Sequence, residues 1–367
     1  MNTADAEQIA GCYESQGWQA AQTIAQADEV VIVSCSVRQT AEDRVYGLIN
    51  NLSKLKTQNA NVKSKSKNLK LLKPKIILTG CMMRYPLRWL KEKMPQVDEF
   101  KKISQYKEHR TKNIVRNSKT HAFVTIIEGC NQFCSYCVVP YARGREKSRP
   151  FEEIICEVKE LAKRGYQEIT LLGQNVNAYG KDLKLEKIQT NKNHFKLLKN
   201  QDKKVSLFAK LLEELHKIKG IKKISFLTSN PWDLTDDIVA AMSLPKIDRY
   251  LHLPVQSGDN EILKKMNRKY TAEQYLKLVE KIRKKIPEIK IGTDIIVGFP
   301  GETEKQFQQT VNLCQKVGFA KAYVAIYSPR PGTAAFKLKD DVCCQEKKRR
   351  WKILDDLINQ HKEISFE

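Results

Sequence analysis

The chain is predicted to be α/β in two parts, an open α/β sheet domain followed by a partial (β/α)6 barrel. Three observations carry this expectation. Strand-like apolar runs alternate with periodic helical stripes six times from residue 121 onward. A shorter strand–helix–strand pattern precedes them, and 367 residues suffice for about two domains.

In the first part, residues 29–34 and 75–79 read as short apolar strands, and residues 41–52 between them as a helix. Each strand runs into a cysteine, Cys35 and Cys81. Strand ends that lead into helices are where open α/β sheets place their ligands, so two cysteines at equivalent ends can share one site. Residues 54–73 and 181–204 are rich in Lys and Asn and lack hydrophobic periodicity. Both are expected to be solvated surface loops rather than dedicated RNA-binding segments.

The barrel strands are expected at residues 123–127, 168–172, 223–228, 249–253, 290–297 and 321–327. Helices between them show as stripes such as Ile154, Val158 and Leu161, or Phe307, Val311 and Cys314. Cys156 and Cys314 lie on these helices and are expected in the core. A last helix is read over residues 347–361. The domain limits are therefore placed at 1–115, 116–346 and 347–367.

Composition narrows the setting. Ten cysteines occur without an N-terminal apolar leader or an apolar run of membrane length. That usage fits a reducing cytoplasm in which thiols bind metal rather than pair, and it excludes a membrane span. A formal charge of +23 makes a polyanion the simplest partner, with nucleic acid favoured over a lipid surface. A proteome biased toward lysine would give the same charge.

The stretch Gly129-Cys130-Asn131-Gln132-Phe133-Cys134-Ser135-Tyr136-Cys137 carries the chemistry. Three thiolates on one short loop can hold three irons of a four-iron cluster and leave one iron open. The alternatives are a structural zinc site or three unrelated buried thiols. Zinc usually takes four ligands in paired motifs, and no fourth Cys or His is close in sequence. The loop follows the first barrel strand at its C-terminal end, the face on which such barrels place active sites.

The spacing is that of radical S-adenosylmethionine enzymes, and over nearly its whole length the chain resembles the tRNA methylthiotransferases of the MiaB type. Val138-Val139-Pro140-Tyr141-Ala142-Arg143-Gly144-Arg145-Glu146, His252-Leu253-Pro254-Val255-Gln256-Ser257-Gly258 and Thr293-Asp294-Ile295-Ile296-Val297-Gly298-Phe299-Pro300-Gly301-Glu302-Thr303 carry the resemblance. So does Tyr327-Ser328-Pro329-Arg330-Pro331-Gly332-Thr333. Leu172-Gly173-Gln174-Asn175-Val176-Asn177 is similar to the branch acting on isopentenylated adenosine, with the threonylcarbamoyl-adenosine branch as the alternative.

The resemblance implies a [4Fe-4S] cluster on Cys130, Cys134 and Cys137 that cleaves S-adenosylmethionine, and an auxiliary cluster with Cys35 and Cys81 among its ligands. It implies methylthiolation of carbon 2 of N6-isopentenyladenosine in the anticodon stem-loop of tRNA, with an electron donor protein, and a cytoplasmic enzyme read here as a monomer. Gln174, Asn175, Gln256 and Asp294 are candidate cofactor contacts because they sit at or after strand C-terminal ends, where hydrogen-bonding turn residues also sit. Arg143 and Arg145 suit substrate phosphate or cofactor carboxylate.

Two departures are expected. The family's third auxiliary ligand falls just before Met1, so the first strand and that ligand are expected to be missing, with Cys12 a helix thiol. After the last helix, the family's small RNA-binding β-barrel is expected to be absent. A truncated remnant that binds RNA without transferring sulfur is the rival of a different class.

Overall fold

A computed structural model describes residues 1–61, 74–107, 114–183 and 205–360. The chain divides into two units, Met1–Asn117 with Tyr141–Arg143, and Ser118–Pro140 with Gly144–Glu367. Residues 62–73 and 184–204, which make up most of the two expected lysine-rich loops, lie outside the described residues.

The first unit contains α1 (Asn2–Ser15), β1 (Glu29–Ser34), α2 (Gln39–Asn61), β2 (Lys75–Gly80), α3 (Leu87–Lys93), β3 (Glu99–Phe100) and α4 (Ile103–Lys107). Its strands are parallel in the order β1-β2-β3. Successive side chains of a strand point to opposite faces, and β1 uses both. Ile32 packs with Val45, Ile49 and Leu52 of α2, while Val31 and Val33 pack against Ile9, Cys12 and Tyr106. Cys12 is thus a buried thiol of α1, accepting from Gln16 Nε2 at 3.2 Å. The helix α2 is longer than expected and takes in residues 54–61, which the sequence reading assigned to a loop. Neither Gly nor Pro occurs there to stop it, and Lys, Gln and Ala are good helix formers.

The second unit begins with β4 (His121–Thr125), β5 (Ile127–Glu128), α5 (Val139–Arg143), β6 (Lys147–Ser148), α6 (Phe151–Lys163) and β7 (Glu168–Leu172). The last residues of α5 group with the first unit. Then follow α7 (Leu207–His216), β8 (Lys223–Phe226), α8 (Asp236–Met242), β9 (Tyr250–His252), α9 (Asn260–Lys265), α10 (Ala272–Lys285), β10 (Lys290–Val297), α11 (Glu304–Val317), β11 (Lys321–Ile326) and α12 (Cys344–Ile358). Parallel pairing gives the orders β4-β7-β8 and β9-β10-β11. A bridge at Ile224 and Ile247, and a bond from Ser229 N to His252 O at 3.4 Å, carry the sheet from β8 to β9. The result is the expected partial barrel, open between β4 and β11 among the described residues.

Alternation along the strands sorts the barrel's two faces. Val124, Ile169, Leu171, Ile224, Leu251, Ile291 and Ile295 are buried among the helices, while His121, Thr170, Ser225, His252 and Asp294 occupy the alternate positions. Capping boxes at Thr271 and Thr303 start α10 and α11. The first barrel strand starts and ends two residues earlier than expected, and Ile127 and Glu128 instead pair antiparallel with β6.

Cys314 is buried as expected, but Cys156 is exposed. It lies two positions from both Ile154 and Val158, and at about 100° per residue that places it opposite the buried stripe. The last helix starts earlier than expected and is anchored by Arg350 Nη1 on Glu302 Oε2 at 2.9 Å, with Leu354 and Ile358 buried. No helix among the described residues is long and apolar enough to cross a membrane.

Candidate functional site

The cysteine loop leaves the barrel at Gly129, whose φ of +78° is left-handed. A Cβ there would stand 2.1 Å from Arg145 O, so only glycine lets the two segments meet. Cys130 N donates to Gly144 O at 3.1 Å, and Gly129 N donates to Gln174 Oε1 at 2.5 Å. Farther along, Ser135 N and Oγ donate to Met266 O and Lys265 O at 3.0 and 2.8 Å, and Asn267 Nδ2 donates to Phe133 O at 3.0 Å. Ala335 N completes the clamp on Ser135 O at 2.7 Å. The loop is therefore held by its backbone from several directions, leaving the thiols to other work.

Cys130 is buried, and Cys134 and Cys137 are half-buried by residue. Burial pushes the Cys130 thiol up to about 11 and that of Cys137 up to about 12, with the neighbouring cysteines adding to the rise. Such sulfurs stay protonated in water at neutral pH, and a coordinated metal is what removes the proton. Among the described residues no three His, Cys, Asp or Glu side chains converge on a single ion. An iron–sulfur cluster takes each thiolate on a different iron. The donor set and the loop fit such a cluster.

Around the loop, Asn175 is fully buried and donates from Nδ2 to Asp233 Oδ2 at 2.7 Å, while its Oδ1 finds no hydrogen-bond partner. Gln132 Nε2 and Lys181 Nζ reach the same Asp233 carboxylate. Gln256 holds a φ of +70°, its N donating to Asp294 O at 2.9 Å. Asp294 Oδ2 lies 3.0 Å from His252 Nε2. Arg145 stacks over the Phe133 ring at 4.7 Å.

Sequence reasoning missed Asp233, His252 as a partner of Asp294, and above all Arg268. The Arg268 Nη1 lies 3.5 Å from Cys134 Sγ. In a chain this rich in basic residues, a lone arginine between Asn267 and Lys269 carries no signal of burial.

The other cysteine pair belongs to the first unit. Ser34 and Gly80 are paired in register, so Cys35 and Cys81 follow at equivalent strand ends. Ser34 Oγ donates to Thr79 O at 2.5 Å and accepts from Met82 N at 3.1 Å, which fixes the turn into Cys81. Arg143 donates from Nε to Cys81 Sγ at 3.3 Å and from Nη2 to Asn2 Oδ1 at 3.0 Å, and it pairs with Asp5 at 2.7 Å. Burial raises the Cys81 thiol, and Arg143 pulls it back down. The Met1 amine lies close enough to sense Asp5, Arg143, Cys81 and Cys35, and burial lowers it.

The radical SAM superfamily matches residues 124–314, and an uncharacterized protein family, UPF0004, matches residues 1–101. A tRNA-2-methylthio-N(6)-dimethylallyladenosine synthase of Thermoanaerobacter sp. (strain X514) is 43% identical over 395 aligned positions, covering 100% of this chain and 77% of the relative. The chain belongs to the tRNA-2-methylthio-N(6)-dimethylallyladenosine synthases. The synthase of Thermotoga petrophila is 42% identical, with 97% and 79% covered. Among solved structures, the radical S-adenosylmethionine methyltransferase TsrM of Kitasatospora setae superposes with a TM-score of 0.58 at 12% identity, covering 90% of this chain and 72% of that one. At that identity the likeness speaks for the fold alone, and it is the α/β architecture that the synthase was expected to have.

Proposed function

We propose that in this synthase Cys130, Cys134 and Cys137 hold a four-iron cluster whose open iron takes S-adenosylmethionine, and that Cys35 and Cys81 are ligands of an auxiliary cluster. The chain is a radical S-adenosylmethionine tRNA methylthiotransferase that adds a methylthio group to carbon 2 of N6-isopentenyladenosine next to the anticodon. The observation that carries the site assignment is placement. Three thiols sit on a backbone-clamped loop where the first barrel strand ends, the face on which barrels of this kind do chemistry.

When bound, such a cluster supplies the electron that cleaves S-adenosylmethionine. The residues of the chain position and enclose. Gln174 holds the start of the loop through Gly129 N. Asn175 leaves a buried acceptor, Oδ1, available to a cofactor donor. Gln256 keeps a left-handed backbone that costs about 1–3 kcal/mol and is characteristic of positions held for function. Asp294, oriented by His252, presents a carboxylate on the polar face of the barrel.

On this reading the enzyme works as a cytoplasmic monomer with an electron donor protein, and its net charge of +23 draws the anticodon stem-loop of tRNA to it. Anaerobic reconstitution followed by assay of 5′-deoxyadenosine and mass spectrometry of digested tRNA tests the assignment. Loss of both products on replacing any of Cys130, Cys134 or Cys137 is the expected result.

A further inference from the structure

Arg268 is a cation with nowhere to put its charge. Its side chain lies in the second unit, 8% exposed by residue, in the turn that follows α9. Its Nε donates to Tyr270 Oη at 3.1 Å, its Nη2 to Pro254 O at 2.9 Å, and its Nη1 to Asn230 Oδ1 at 3.4 Å. The guanidinium lies over the rings of Trp232 and Tyr270, 4.6 and 5.1 Å from their centroids. Every one of these partners is neutral. Among the described residues no carboxylate reaches ion-pair distance of Arg268, whereas the enclosed guanidinium groups of Arg116, Arg143 and Arg350 each have one.

A buried cation that lacks an anion is costly, since the low-dielectric interior does not replace the water it has lost. Its last hydrogen-bond partner is Cys134 Sγ, 3.5 Å from Nη1. As a thiol, that sulfur gives the guanidinium only a weak acceptor. As a thiolate of a cluster it gives a negative charge, and the cluster as a whole becomes more negative on reduction. A fixed positive charge beside it therefore favours the reduced form, net charge and hydrogen bonds to the sulfurs being levers that set such potentials. Neutral partners also leave that charge undiminished.

We infer that Arg268 is the built-in counter-ion of the three-cysteine cluster, a positioning residue that acts through Cys134 to raise the cluster's reduction potential. This rests on the assignment of Cys130, Cys134 and Cys137 as cluster ligands. Two consequences of opposite sign follow. In the cluster-free protein Arg268 is a burden, so replacing it with a neutral side chain of similar length leaves stability unchanged or improves it. In the loaded protein the same replacement removes the counter-charge.

The test uses the full chain carrying Cys35→Ala and Cys81→Ala, so that spectroscopic signals come from the loop cluster alone. In that background Arg268→Met and Arg268→Lys are reconstituted anaerobically, iron is counted, and the cluster is titrated with its electron paramagnetic resonance as readout. Arg268→Met is expected to lower the reduced-to-oxidised ratio at fixed solution potential by tenfold or more, which is 59 mV for a one-electron couple. Arg268→Lys, which keeps the charge and loses the fork, is expected to stay close to the parent. Apo Arg268→Met is expected to melt no lower than the apo parent. If the Met chain takes up no iron while the Lys chain fills, the requirement for charge is likewise upheld. An unchanged potential in a fully loaded Met chain, or loss of the cluster in Met and Lys chains alike, would overturn the inference. Absence of cluster iron from the parent background would remove the ligand assignment and the inference with it.

Discussion

Arg143 and Cys81 are joined by a hydrogen bond of 3.3 Å from Nε to Sγ, and the same guanidinium is paired with buried Asp5 at 2.7 Å. One arginine thus serves a sulfur and a carboxylate at once. Removing it strands the Asp5 carboxylate in a site where 4% of that side chain is exposed. Arg143→Ala should cost about 3 kcal/mol of stability, the usual consequence of breaking a buried pair from one side. Urea denaturation of the apo chain checks it, and Arg143→Lys should recover part of the loss.

Gly129→Ala is expected to be far worse than its size suggests. The added Cβ would meet Arg145 O at 2.1 Å, and the position holds φ at +78°. Backbone rather than a flexible side chain is in the way, so the loop must shift and the clamp on Cys130 must open. Iron uptake should fall sharply while circular dichroism of the helices stays near that of the parent.

Glu302 and Arg350 tie α12 to the barrel at 2.9 Å, both side chains buried. Arg350→Met should cost about 3 kcal/mol by leaving the buried Glu302 charge unpaired, whereas Glu302→Gln should cost less, because Arg350 keeps Glu346 and Glu304 at 2.6 and 3.6 Å. The double replacement should cost clearly less than the sum of the two, and a double-mutant cycle in urea measures the difference.

The two helix cysteines should part company. Cys156→Ser changes an exposed side chain and is expected to stay within about 0.5 kcal/mol of the parent. Cys314→Ser places a hydroxyl in the core beside Val311 and Val317 and should cost about 1–3 kcal/mol. Thermal melting of the pair checks both.

That contrast shows where the sequence was legible. The runs at Glu29–Ser34, Glu168–Leu172 and Lys290–Val297 have the limits expected of them, each opening on a charged residue that leads into sequence rich in Val, Ile, Leu or Thr. The expectation of a buried Cys156 rests on membership of an apolar helix, whereas its phase on that helix points it outward. The loop of Cys130, Cys134 and Cys137 was plain from spacing alone, and so was the equivalence of Cys35 and Cys81 at two strand ends. What supports them was not. Arg268 comes from a turn distant in sequence, and the left-handed backbone of Gln256 depends on a bridge to Ile295. Such long-range contacts leave no local pattern.

The central claim is that the loop thiols hold the cluster that cleaves S-adenosylmethionine during tRNA methylthiolation. Its most direct test compares Cys134→Ala with the parent chain after anaerobic reconstitution and reduction, assaying 5′-deoxyadenosine. Product is expected from the parent and none above background from the variant. Equal product from the two would contradict it.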